Sequence, residues 1–544
     1  MPLLGVGRDA VVSCKIYESS RIEDLNRIFC ALILAVTRLN EALDGYAVSS
    51  ANSVSVDYES VTRVGRVYRR NNVKLQRLVQ LALTCVMLTA CGGETADNFD
   101  LVITHGRVID PESGLDGVRS VGIRDGKVAA IVEGELTGRR TIDATGHVVS
   151  PGFIDLHEHG QSEEAYSYMV RDGVTTALEL EVGTADIHGF YADREGGQIV
   201  NYGASIGHIG VRMELLGDPG AGILPAGIGG SGSITAEQLD EMERRIREGL
   251  DQGAVAVGFG SAYTPGAEMS EIERMFGVAA ESGASAHIHM RGGLSGFDST
   301  VAAARRTGVS LHFVHINSSA GDDIDAFLDG VQTAVDAGQD VTTETYPYGA
   351  GMTEIQSALF DDWETWPEER FELHQLVSSG ERATRETFAQ AREKGGAVII
   401  HGRTEEMTRK AVASPLTMIA SDGFIVDGRG HPRTSGSYSK VLGQYVRDEG
   451  VLSLPEAIRK MTIEPARRLE ATVESMASKG RLQVGADADI TIFDPATVID
   501  RSTYLDATIP SIGIAWVIIA GEAVVELGEV TAARPGRAVR GRVR

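Results

Sequence analysis

Two hydrophobic rhythms divide the chain. Between residues 101 and 150, short apolar runs are broken by turn residues. Leu101-Val102-Ile103 precedes Gly106, Val121–Arg124 and Lys127–Ile131 flank Asp125-Gly126, and Thr141–Val149 surrounds Gly146. Asp-Gly between two β-rich runs signals a hairpin, so this stretch predicts a small all-β unit. From Pro151 the rhythm changes. Apolar runs of strand length at 173–181, 254–260, 285–290, 310–316, 340–346 and 397–401 alternate with helical segments at 236–252, 270–282, 300–307, 331–337 and 381–394. Such β-then-α alternation predicts a parallel sheet covered by helices. Its extent fits a (β/α)8 TIM barrel, with a doubly wound open sheet as the alternative that periodicity alone leaves. After Ala466 strands return, at 481–494 and 514–525. The simplest geometry pairs the two β segments as one small β-sandwich domain built from both ends of the catalytic chain. The expected boundaries are 99–150 and 476–530 for the sandwich, 151–475 for the barrel, and 531–544 for a basic tail that should fray.

Composition narrows the class. The 544 residues are 42% hydrophobic and 23% charged, enough apolar material for a large core. That excludes a disordered chain, a collagen-like fibre and a disulfide-stapled miniprotein. Four cysteines cannot form a disulfide framework. Lys and Arg number 51 against 76 Asp and Glu, a formal charge of −25. So acidic a surface repels phosphate backbones, which argues against nucleic-acid binding.

Residues 1–72 are almost neutral and differ in character from the rest of the chain. Arg69, Arg70, Lys74 and Arg77 precede the apolar run 78–90, which closes in Leu88-Thr89-Ala90-Cys91-Gly92-Gly93. A basic region, a short apolar region and small residues describe a secretory signal. The run falls short of the roughly 20 residues of a comfortable membrane span. Leu-Thr-Ala-Cys resembles the bacterial lipobox, in which cleavage leaves the cysteine at the new N-terminus for lipid attachment. Residues 73–91 are therefore read as a lipoprotein signal peptide and Cys91 as the lipidation site. Residues 1–72 are read as an upstream extension, with Val73 as a non-ATG start. The expected location is a membrane facing the bacterial periplasm or the cell surface, with the lipid as anchor.

The chemistry concentrates at strand ends. Phe153-Ile154-Asp155-Leu156-His157-Glu158-His159 is an apolar run ending in His-x-His, which places both imidazoles on one face of a strand. His289 closes the run 284–289, His315 closes 311–315, and Asp422 follows the apolar run 417–421. The C-terminal mouth of a barrel is where catalytic groups belong. Four histidines and a carboxylate gathered there suit a divalent-metal hydrolase.

These residues resemble the amidohydrolase superfamily, specifically its N-acyl-D-amino-acid deacylase (D-aminoacylase) branch. The likeness covers about 99–530. It rests on Ser150–His159, on Gly258–Gly266, on His289-Met290-Arg291, on Tyr346-Pro347-Tyr348, on Ile419–Gly423, on His431-Pro432-Arg433 and on Gly485–Asp489. The resemblance implies a barrel with a β-sandwich, and one or two Zn2+ ions. It implies His157 and His159 at one metal position, His289 and His315 at the other, and Asp422 as final ligand and proton shuttle. The branch usually bridges the two positions with a cysteine. This chain has neither Cys nor Lys across 173–183, and Glu179 and Glu181 share a strand face there. Glu181, nearer the strand's C-terminal end, is the expected bridge. Where the branch often carries a lysine that helps to hold substrate, this chain has Asn317.

The implied reaction is hydrolysis of an amide by a metal-activated water, with Asp422 carrying the proton to the leaving amine. Arg291, Asn317, Tyr348 and Arg433 are the candidates for holding a substrate carboxylate, the arginines best by bidentate geometry. The expected substrate is a small N-acyl amino acid, and the chain could assemble as a homo-oligomer. The alternatives are a cyclic-amide hydrolase of dihydroorotase or hydantoinase type, a D- or isoaspartyl dipeptidase, and a lipid-anchored binding protein on a decayed hydrolase scaffold. The processing expectation is checked by intact mass of the native product. A mature chain beginning at a lipid-modified Cys91 is the expected result, and one beginning at Met1 contradicts it.

Overall fold

The computed structural model describes residues 99–543; residues 1–72, the expected signal at 73–91 and Cys91 lie outside them. Eight parallel strands follow one another in sheet order. They are Phe153–Asp155, Val174–Thr184, Asn201–Gly207, Val257–Gly260, Ser285–His289, Ser310–Phe313, Val341–Thr345 and Thr417–Ile419. They are buried almost throughout, as expected of a parallel sheet covered by helices. Helix Ala236–Asp251 shows how the cover forms. Thr235 and Gln238 cap its start reciprocally, and Met242, Ile246 and Leu250 turn to the core. Its outer face carries Arg244 between Glu241 and Glu248.

The barrel closes at its functional end. Among the described residues the eighth strand has no ladder with the first; the segments just beyond the two strands join them instead. Asp422 N donates to His157 O at 2.7 Å, and His159 N donates to Gly423 O at 2.8 Å. Beneath this seam Asp155 Oδ1 accepts from Ser421 N at 3.0 Å and from His157 N at 3.1 Å. Full burial pushes the Asp155 carboxyl up to about 7, against the pull of those donors.

A nine-stranded sheet flanks the barrel. Five of its strands come from Phe99–Pro151 and four from Ile490–Val530. The two ends of the chain meet where Ile490–Phe493 pairs antiparallel with Val148–Pro151. The hairpin at Asp125-Gly126 has positive φ at both residues, 53° and 73°, as a type I′ turn requires. Asp489 fastens this sheet to the barrel. Its carboxylate accepts from Lys479 Nζ at 2.7 Å, from Asn201 Nδ2 at 2.9 Å and from Ala520 N at 2.8 Å. Removing one partner of such a buried pair typically costs about 3–5 kcal/mol.

Three expectations are corrected. The apolar run at 397–401 is not a barrel strand. Ala397–Ile400 is the central strand of a small antiparallel sheet with Gly351–Glu354 and His374–Leu376, inserted between the seventh and eighth barrel strands. Phe360, Trp366, Phe371 and Phe388 give this insertion its own aromatic core. The third barrel strand, Asn201–Gly207, is instead a glycine- and serine-bearing run without an apolar signature. The tail does not fray. Val539 is buried, its N–H donates to Tyr202 O at 2.7 Å and its carbonyl accepts from Tyr191 Oη at 2.6 Å.

Candidate metal centre

The first barrel strand delivers His157 and His159 to the mouth. Each imidazole is aimed by a carboxylate. His157 Nδ1 lies 2.6 Å from Glu344 Oε1, and His159 Nδ1 lies 2.6 Å from Glu179 Oε2. An ionised carboxylate only accepts, so both Nδ1 atoms carry a proton, and in the neutral imidazoles that metal binding requires both Nε2 atoms present lone pairs. Those lone pairs face one another at 3.0 Å. Glu181 Oε2 lies 2.7 and 3.1 Å from the two nitrogens, and Asp422 Oδ1 lies 3.5 and 3.3 Å from them. Four acceptors meet with no donor among them. A cation satisfies such an arrangement, and histidines backed by carboxylates are the usual way a protein orients metal ligands.

A second donor group adjoins the first. Glu181 Oε1 lies 3.0 Å from His289 Nδ1, which lies 3.1 Å from His315 Nε2. In each group the candidate donor atoms lie within 4.8 Å of one another, and Glu181 belongs to both through its two oxygens. Glu181 reaches this position because its strand bulges. Pairing with the third strand passes from Glu179↔Ala204 to Thr184↔Ile206, and Gly183 takes a φ of 66° within the bulge. Gly258 on the fourth strand passes directly beneath, where any Cβ would collide with the Glu181 carbonyl. Glu179 turns back instead. Its Oε1 accepts from Val182 N and Gly183 N, and its Oε2 orients His159.

The field of the site calls for positive charge. Burial opposes protonation of His157, yet Asp422 and Glu344 hold it well above its ordinary value. Burial likewise opposes ionisation of Asp422, but Arg433 and His157 hold it well below the carboxylate range. Burial together with His289 pushes His315 down to about 3. Two of the converging residues also sit in left-handed backbone, His315 at φ 33° and Asp422 at φ 53°, a strain that clusters at functional sites.

A cavity of about 300 Å³ opens beside the cluster, lined in part by His289, His315, Asp422, Arg291, Arg403 and Arg433. Arg433 is buried, with Nη1 2.7 Å from Asp422 Oδ2 and its guanidinium over the Tyr346 ring. Arg291 donates to the carbonyls of Thr264, Pro265 and Ala267. Asn317 and Tyr348 stand apart from the cavity lining. Asn317 Nδ2 donates to Tyr346 O at 3.0 Å, and Tyr348 Oη donates to Asp500 Oδ2 at 3.0 Å.

Three contributors are absent from the set expected on sequence grounds. Glu344 accepts from His157 on one oxygen and lies 3.1 Å from His312 Nε2 on the other. It sits at the end of a predicted strand, so the rule that singles out His289 applies to it equally. Tyr263 sets its ring edge-on to His289, centroids 4.6 Å apart. Arg403 follows the inserted strand Ala397–Ile400 and carries no motif. The orienting role of Glu344 has a measurable consequence. Glu344→Gln should weaken divalent-metal retention by about 10–100-fold in chelator competition, because the His157 tautomer loses its anchor. Retention within twofold of the parent contradicts that role.

Comparison with known proteins agrees with this geometry. The amidohydrolase family profile matches residues 148–524. The chain is 32% identical over 500 residues to an N-acyl-D-glutamate deacylase of Alcaligenes xylosoxydans xylosoxydans, covering 82% of this chain and 97% of that protein. Its fold is similar to a crystal structure of N-acyl-D-glutamate deacylase from Bordetella bronchiseptica, complexed with zinc and a phosphonate mimic of the tetrahedral intermediate. That likeness has a TM-score of 0.72 and 26% identity, over 82% of this chain and all of the other. A D-aminoacylase structure bearing on the role of its binuclear metal centre aligns at TM-score 0.69 and 25% identity, over 81% of this chain and all of the other. The chain belongs to the amidohydrolase family, in its D-aminoacylase branch.

Proposed function

We propose that the protein is a zinc-dependent deacylase of N-acyl-D-amino acids. The observation that carries this reading is the convergence of the His157 and His159 lone pairs with Glu181 and Asp422 at the edge of an arginine-lined cavity. The named activities of its relatives support the amide bond and the D configuration. His157, His159, Glu181 and Asp422 would hold one ion, and Glu181, His289 and His315 a second. When bound, zinc supplies Lewis acidity that lowers the pKa of a water and polarises an acyl oxygen.

The protein's own groups do the rest. Arg433 grips Asp422 Oδ2 and leaves Oδ1 turned toward the imidazoles. Oδ1 is therefore the atom that takes the proton from the attacking water and returns it to the leaving amine nitrogen. The Arg433 guanidinium, at the cavity wall beside that carboxylate, is placed to meet the substrate α-carboxylate. The succession in sequence of a basic, an apolar and a small-residue segment before Cys91 supports a lipid-anchored form of this enzyme.

The test is a turnover panel on zinc-loaded protein. N-acetyl-D-amino acids should be hydrolysed, with L isomers, hydantoins and dipeptides at background. Asp422→Asn should lower kcat by about 10²–10⁴-fold with zinc retained. Preferential cleavage of hydantoins or dipeptides, or near-parental turnover of the Asn variant, contradicts the reading.

A further inference from the structure

The core of a (β/α)8 barrel is ordinarily filled by layers of branched apolar side chains. Just beneath the donor cluster this barrel departs from that rule. His312, on the sixth strand, is fully buried and hydrogen-bonded through both ring nitrogens. The strand register explains how. His312 pairs with Thr342 on the seventh strand, and Glu344 lies two residues further along the same face. One strand therefore meets both edges of the ring: Thr342 Oγ1 lies 2.7 Å from Nδ1, and Glu344 Oε2 lies 3.1 Å from Nε2. Burial pushes His312 below its ordinary value, so the ring is neutral, with one donor and one acceptor nitrogen. The Glu344 carboxylate only accepts, so Nε2 carries the proton and Nδ1 accepts from the Thr342 hydroxyl. The other oxygen of the same carboxylate accepts from His157 Nδ1 at 2.6 Å. His287 makes no such link. Its ring lies 4.7 Å from that of His312, its Nε2 meets Ser285 Oγ, and its Nδ1 has no partner.

We infer that His312 is a positioning residue of the metal centre, which it serves by locking the Glu344 carboxylate that orients His157. This rests on the metal-binding part of the proposed function and deepens it. The terminal torsion of a glutamate is broad, so a carboxylate bonded through one oxygen can still swing. His312 on the second oxygen fixes its plane. The His157 ring then keeps one orientation, with Nε2 turned toward Glu181 and Asp422. The other arm of the His-x-His pair is built on the same plan. Glu179 orients His159 with one oxygen, and its second oxygen accepts from Val182 N and Gly183 N. Both orienting carboxylates are thus tied twice. Backbone ties the one on His159, but a side chain ties the one on His157, so a substitution can release only the latter.

The experiment is a double-mutant cycle on zinc retention, read by chelator competition, in His312→Phe, Glu344→Gln and the two combined. The visible spectrum of the Co2+-loaded proteins, which reports ligand geometry, is the second readout. His312→Phe should weaken retention by about 10-fold and shift the Co2+ bands. His312→Gln should recover most of that loss, because its amide nitrogen stands as many bonds from Cβ as the imidazole Nε2. Since His312 acts through Glu344, adding His312→Phe to Glu344→Gln should cost about twofold at most. Thr342→Val, which removes only the hydroxyl, takes the place of His312→Phe if that variant does not fold. Its expected loss is about threefold, and no loss contradicts the role. Retention in His312→Phe within twofold of the parent, no recovery in His312→Gln, or multiplied losses in the combined variant overturns this inference and leaves the metal centre standing. A parent that binds no zinc overturns both.

Discussion

Glu344 and Glu179 each accept a hydrogen bond from the Nδ1 of one histidine in a His-x-His pair, and this fixes where the opposite nitrogens point. Everything else at the mouth depends on that constraint. Two lone pairs at 3.0 Å repel unless something positive lies between or beside them, and the neighbouring Glu181 and Asp422 add acceptors rather than donors. Arg433 offsets only one of these carboxylates. The pocket is an anionic, largely buried cage whose natural complement is a divalent ion.

The same atoms complete the barrel. Asp422 and the His157–His159 segment exchange the hydrogen bonds that join the last strand to the first. Ligand geometry and ring closure are therefore one structural event, secured underneath by Asp155. A site built into the seam of a closed sheet is held by the whole barrel, which is what ligands placed to a fraction of an ångström demand. The insertion between the seventh and eighth strands lies outside this rigid set, yet it contributes one wall of the cavity.

How much of this is legible in the residues alone depends on range. His157, His159, His289, His315 and Asp422 are legible because each ends an apolar run, and side-chain alternation on a strand carries them to one mouth. The choice between Glu179 and Glu181 is only half legible. Proximity to the strand end favours Glu181, but the bulge that turns Glu179 back toward His159 depends on the neighbouring strand. The third barrel strand is hidden because the tail lies over it. A Cβ on Gly203 would come 2.6 Å from Val539 O, so the position excludes the branched residues that mark strands elsewhere. The tail itself reads as basic and unanchored, since its partners, Gln198 and Tyr202, lie more than three hundred residues earlier. Ala397–Ile400 imitates a barrel strand because a buried run looks the same in either sheet.

The central claim is that the two Nε2 atoms are turned together for a metal ion. Anomalous diffraction from crystals of the protein, recorded on both sides of the zinc edge, tests it most directly. The account predicts a zinc-specific peak bounded by His157 Nε2, His159 Nε2, Glu181 and Asp422. Clean electron density for those side chains with no edge-dependent peak, in protein given zinc, would contradict it.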